Sequence, residues 1–170
     1  MSGSQAGGVK ARKIADLKWV RGITEALIKD FPADKAPYQP WQGENHVVWS
    51  LGHLATTYAW LTGVMGGVAP EMPASFQEAF KPGVKPTADA ARYPTLAEVK
   101  AHFDGTFQKF LATIEGLTED QLSAPLKESL GGFASNGWEV LDRSAWHEGW
   151  HAGQISSVRR SLGLPPTMGA

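Results

Sequence analysis

Apolar residues spaced at three- and four-residue steps constrain the fold of this chain more than any other feature. Over residues 9–31 they are Ile14, Leu17, Val20, Ile23, Leu27 and Ile28, the period of one buried helical stripe, and Pro32 ends the run. A second helical segment, residues 46–63, carries Trp49, Leu54, Tyr58 and Leu61; Asn45 is placed to cap it, and Gly66 and Gly67 break it. The third opens on Thr95 with Glu98 three residues later, so that hydroxyl and carboxylate can each satisfy an orphan backbone donor. It continues through Val99, Phe103, Phe107, Phe110, Leu111 and Ile114 to Gly116, and a short capped turn follows with the same spacing from Thr118 to Gln121. The fourth starts near Asn136, with Glu139 three residues on, and finishes at Ser161, Leu162 and Gly163 ahead of Pro165 and Pro166.

No segment alternates as a half-buried strand does, so the pattern predicts an all-α four-helix bundle. Residues 37–43 form a turn-rich link between the first two helices. Residues 64–94 hold Pro70, Pro73, Pro82, Pro86 and Pro94, which predicts a long Pro/Gly-rich crossover between the second and third helices, with a short helix around residues 76–80. At 170 residues and 42% hydrophobic content the chain can bury one substantial core, so a single domain is expected over residues 9–166, behind a disordered Gly/Ser-rich tail at residues 1–8. That tail lacks the pattern of a signal peptide, and no apolar run approaches the ~20 residues that cross a bilayer, so a cytoplasmic location is expected. A net charge of -1 supplies no field to attract nucleic acid or a membrane surface, and neither is expected as a partner.

The chain has no cysteine, which removes thiolate ligands and a cysteine nucleophile and leaves histidine and carboxylate as its strong metal ligands. His147 and His151 stand four residues apart, one helical turn from each other on one face. His53, in the middle of the second helix and flanked by Gly52 and Leu54, is a third candidate. Three neutral imidazoles suit zinc or nickel, with iron or manganese as further options, and leave coordination positions open for water or substrate. His46 lies seven residues before His53, ~10.5 Å away along the axis at ~1.5 Å per residue, and at the helix start it either lines the mouth of the pocket or, as expected here, is exposed.

Residues 147–151 also satisfy the H-E-x-x-H pattern of zinc proteases, in which the glutamate activates water. The longer form of that motif needs a glycine and a histidine where this chain has Gln154 and Ser157, and no Asp or Glu follows His151, so the protease reading fails in context. Glu148 stays a candidate general base, although a rotation of about 100° from His147 aims it at a neighbouring helix. Ser50 and Thr57, about a turn either side of His53, Gln154 after His151, and Trp150 between the paired histidines are candidates for lining or supporting a substrate pocket. Trp49, Trp60, Trp138 and Trp146 either wall the same pocket or fill the core.

Residues 49–54 (WSLGHL), residues 147–155 (HEGWHAGQI) and the closing residues 162–166 (LGLPP) together resemble the DinB-like, or YfiT-like, metal-binding four-helix bundles. The resemblance implies that His53, His147 and His151 form a metal triad, with Gly153 and Gln154 standing in for the family's Gly-Gln. It also implies a long crossover after the second helix, and a homodimer. Family activities include thiol-dependent transferases, a thiol-dependent isomerase and proteins named as metal-dependent hydrolases.

Three functions follow. A small external thiol attacks a small electrophile at the metal; or metal-bound hydroxide attacks an ester or amide; or the protein is a non-enzymatic metal-binding or stress-response protein with a closed site. Closure would need a fourth protein ligand, for which Asp104 and Glu148 are the candidates.

Overall fold

The computed structural model describes residues 3–128 and 130–167. Among the described residues six α-helices run in the order α1 (Gly3–Ile28), α2 (Val47–Val64), α3 (Ala74–Phe80), α4 (Leu96–Gly116), α5 (Glu119–Ser123) and α6 (Gly137–Ser161). The four long ones form the bundle, with α2 packed on α4, α1 packed on α6, and the two pairs joined where α2 meets α6. The short α3 lies in the crossover and covers the residues expected to be helical there, 76–80, beginning two residues earlier at Ala74, and α5 is the capped turn after α4.

The helix ends follow from local chemistry. Both arms of the capping box are made at α4: Glu98 N donates to Thr95 Oγ1 (3.3 Å), and Thr95 N donates to Glu98 Oε2 (2.8 Å). Thr118 and Gln121 repeat the device at α5. At α6, Glu139 N donates to Asn136 Oδ1 (3.0 Å). The Lys10 ammonium, from α1, reaches the carbonyls of Glu115 (2.8 Å) and Leu117 (2.5 Å), capping the far end of α4.

Two ends differ from expectation. The α1 helix begins at Gly3, so the part of the proposed tail from Gly3 to Gly8 is helical; once a helix is nucleated by its packed portion, adding residues to its end carries little penalty. The rest of that tail, Met1 and Ser2, lies outside the described residues. At α2 the cap is His46 and not Asn45. The His46 ring accepts through Nδ1 from Trp49 N (3.1 Å), while the Asn45 side chain donates to Gln154 Oε1 (3.0 Å) on α6. His46 is 0% exposed, the reverse of the expectation, because Tyr93 from the end of the crossover packs edge-on against it at 4.7 Å.

The core is built from Leu17, Leu51, Leu54, Phe103, Phe110, Ile114 and Ile155, all essentially inaccessible to solvent. A charged network crosses it. The Tyr58 hydroxyl donates to Glu148 Oε2 (2.5 Å), Arg21 Nη1 stands 3.6 Å from Glu148 Oε1, and Arg21 Nη2 donates to the Phe103 carbonyl (2.7 Å). The guanidinium lies over the Phe103 and Phe107 rings, 3.3 and 4.1 Å from their centroids. One polar cluster thus touches α1, α2, α4 and α6. Burial raises the Glu148 carboxyl and lowers the Arg21 guanidinium, each effect opposed by the charge of the other. Among the described residues no helix is long and apolar enough to cross a membrane.

Candidate metal centre

The contact between α2 and α6 brings His53, His147 and His151 together. One ring nitrogen from each lies within 4.8 Å of the others, and among the described residues no carboxylate joins the group. The helical spacing of α6 puts His147 and His151 on one face, with Nε2 of one 3.2 Å from Nε2 of the other. His53 faces them from α2, its ring centroid 5.2 Å from that of His147 and 5.3 Å from that of His151.

All three imidazoles are held neutral. Burial lowers His147 to about 4 and His151 to about 3, and the neighbouring imidazoles push both in the same direction. Burial lowers His53 as well, against a hydrogen bond to the Phe80 carbonyl. The histidines are therefore unprotonated at neutral pH, the state a metal ion requires.

The donor set fits a divalent ion. Two nitrogens bound to zinc at ~2.0–2.1 Å in tetrahedral geometry stand ~3.3–3.4 Å apart, close to the 3.2 Å between the paired Nε2 atoms. Two neutral imidazole nitrogens that face each other so closely either share one proton or bracket a cation. On the third histidine, Nδ1 is 3.0 Å from the Phe80 carbonyl, which makes Nδ1 the donor and leaves Nε2 as the free lone pair. Trp49 stacks on the His53 ring at 4.8 Å and 8°, and stands 6.2 Å from His151.

The remaining candidates are distributed around this centre. Gln154 accepts from Asn45, and a polar contact with it opposes the lowering of His151. The Thr57 hydroxyl donates to the His53 carbonyl (2.8 Å), as does that of Thr56 (2.9 Å). Both threonines also line a cavity of about 770 Å3 that includes Trp60, Met72, Gln77 and Lys81. Ser50 is buried, and its hydroxyl makes no hydrogen bond among the described residues. Trp150 is 56% exposed and packs edge-to-face on Trp146 at 4.9 Å, with no stacking on the three histidines. Glu148 is fully buried, and its two oxygens face Tyr58 and Arg21. Asp104, the other candidate for a fourth ligand, pairs with Lys100 at 2.5 Å.

The sequence reading did not foresee the Phe80 carbonyl, and it named Trp49 as a pocket or core residue without its stacking on His53. The Phe80 carbonyl carried no residue-type signal, since any residue has one. The stacking of Trp49 was open to inference from its position four residues before His53, one turn away on the same face. No curated protein matches the chain. The family description "DinB superfamily" matches residues 16–155, a span that contains all three histidines and most of the bundle. With the helical fold and the three converging imidazoles, that match makes the chain a member of the DinB superfamily.

Proposed function

We propose that the protein is a metal-dependent transferase that couples a low-molecular-weight thiol, supplied from outside, to a small electrophile. The observation that carries this reading is a cluster of three neutral histidines with no carboxylate among them. When bound there, a divalent ion such as zinc or nickel supplies Lewis acidity that its ligands do not neutralise, which lowers the pKa of a thiol or water that reaches it. His53, His147 and His151 would hold the ion; Phe80 and Trp49 orient His53, and Gln154 supports His151. A small substrate would stand in the cavity that Thr57, one turn along α2 from His53, and Trp60, two turns along, help to line, although none of the three histidines lines it.

Two observations favour a thiol over water. A free thiol ionises near pKa ~8.5 and water near ~15.7, so a thiol needs a far smaller shift to become a nucleophile at neutral pH. Hydrolysis also profits from a general base, and the only carboxylate in the H-E-x-x-H pattern is engaged in the core by Tyr58 and Arg21. The absence of cysteine means that the thiol is not the protein's own. A homodimer in the cytoplasm belongs to the same reading, and sedimentation of the purified chain tests the dimer.

The test of the activity is turnover of a model electrophile by metal-loaded, untagged protein, with and without added small thiols. Thiol-dependent turnover that disappears in His151→Ala is the expected result. Metal-dependent hydrolysis that ignores thiol would replace this reading with the hydrolase one.

A further inference from the structure

We infer that the crossover supplies a positioning device for the metal centre: the Phe80 carbonyl fixes His53 in its Nδ1–H tautomer, and Gly52 is the residue that lets Phe80 come close enough to do so. The inference rests on the metal reading above for its purpose, and on geometry alone for its existence.

Phe80 is the last residue of α3, so its carbonyl lies among those that a helix end leaves without an intrahelical partner. The His53 ring takes that carbonyl at 3.0 Å through Nδ1. A ring nitrogen that donates to a carbonyl must carry the proton, so Nε2 is left as the lone pair that can meet an ion. The Phe80 side chain is held in turn: it is inaccessible to solvent, packs on Phe76 at 4.6 Å and lies nearly parallel to Tyr93 at 5.8 Å. Trp49 covers one face of the imidazole and fixes its plane.

Gly52 explains how the two segments come this close. Glycine inside a helix is disfavoured relative to alanine, so one in the middle of α2 calls for a packing reason. A Cβ at this position would stand 2.4–2.5 Å from three carbons of the Phe80 ring, a separation that real contacts do not adopt. The same helix offers a comparison in Gly63, where a Cβ would meet only Ala69 Cβ at 3.8 Å. Of these two glycines in α2, the one beside His53 has the Phe80 ring in the place of its side chain.

The experiment has two arms. The first is a long-range proton–nitrogen NMR correlation on the metal-free wild-type chain, which reads the tautomer of His53 without any metal or activity. A protonated Nδ1 with an unprotonated Nε2 is expected; a protonated Nε2, or an averaged pair, overturns the inference. The second compares the affinity of wild type, Gly52→Ala, Phe80→Ala and Gly63→Ala for zinc, with circular dichroism to check that each is folded. Gly52→Ala pushes the Phe80 ring and with it the carbonyl away, and Phe80→Ala keeps the carbonyl but removes the ring packing that holds it against His53, so each should weaken zinc binding by roughly 10- to 100-fold and disturb the His53 tautomer signal. Gly63→Ala should bind as wild type does. Should Gly52→Ala fail to fold, Phe80→Ala and the wild-type NMR signal still decide. If folded Phe80→Ala keeps both wild-type affinity and the wild-type tautomer, the inference falls. If wild type shows the Nδ1–H tautomer yet binds no zinc, nickel, iron or manganese, the metal reading fails and the positioning geometry stands.

Discussion

Glu148→Gln separates a structural role from a chemical one for the glutamate of the H-E-x-x-H pattern. At an effective dielectric constant of about 20, unit charges 3.6 Å apart, the separation of Arg21 and Glu148, attract by ~4–5 kcal/mol. The substitution removes that attraction and leaves the Arg21 guanidinium buried, with the Phe103 carbonyl and the distant carboxylate of Glu25 (3.8 Å) as its polar partners. The glutamine carbonyl still accepts from Tyr58, and a neutral amide is easier to bury than a carboxylate, so part of the loss is offset. The net effect expected for breaking one side of a buried ion pair is ~3–5 kcal/mol of stability. In a domain of this length that lowers the melting temperature by roughly 6–20 °C. Tyr58→Phe removes only the hydrogen bond to the charged acceptor and should lower stability by ~1.5–3 kcal/mol. The assay is thermal and urea unfolding of metal-free protein by circular dichroism, beside calorimetric titration with zinc. Glu148→Gln should be clearly less stable while its zinc affinity at a temperature where it is folded stays close to that of wild type. A variant as stable as wild type that has lost metal-dependent turnover would refute this reasoning and return the carboxylate to the chemistry.

Three smaller perturbations follow from the same structure. Burial lowers His46 from 6.5 to about 4, so between those values the unfolded chain binds more protons than the folded one. The contribution of neutral His46 to the stability of the metal-free protein is therefore fully present above pH ~6.5 and is lost as pH drops towards ~4, by about 3 kcal/mol; urea midpoints that are equal at pH 7 and pH 4 would contradict this. Gly137→Ala places a Cβ 2.8 Å from both Leu122 Cδ2 and Met65 Cε, and overpacking of that kind should lower stability by ~1–3 kcal/mol in urea unfolding. Thr95→Ala removes one arm of the α4 capping box and should lower the urea-derived stability by ~1 kcal/mol, without effect on zinc affinity.

What the sequence discloses and what it withholds divide along the distance over which each feature is decided. The starts of α4, α5 and α6 were legible because a cap is settled within four residues, as Thr95 with Glu98 and Asn136 with Glu139 demonstrate. The pairing of His147 with His151 was equally local, a matter of helical pitch. His53 could be proposed as their partner because it stands in the middle of a long helix and because residues 49–54 resemble the family's motif; its meeting with the pair depends on how α2 packs on α6. His46 was misjudged for the same reason: a residue at a helix start reads as exposed unless one knows that Tyr93 arrives from the crossover to cover it. Arg21 carried no signal, since an arginine on an amphipathic helix belongs by default at the surface. Only the packed bundle brings Glu148 and the Phe103 carbonyl to it. The outward turn of Trp150 is likewise a tertiary fact, because sequence adjacency to two ligands does not fix which way a side chain between them faces.

The most direct test of the metal centre is elemental analysis of protein purified without an affinity tag, set beside His53→Ala and His151→Ala. One equivalent of a divalent transition metal per chain in wild type, lost on dialysis from both folded variants, is the predicted result. A wild-type chain that holds no transition metal after incubation with zinc, nickel, iron and manganese in turn, or variants that hold it as tightly as wild type, would contradict the account.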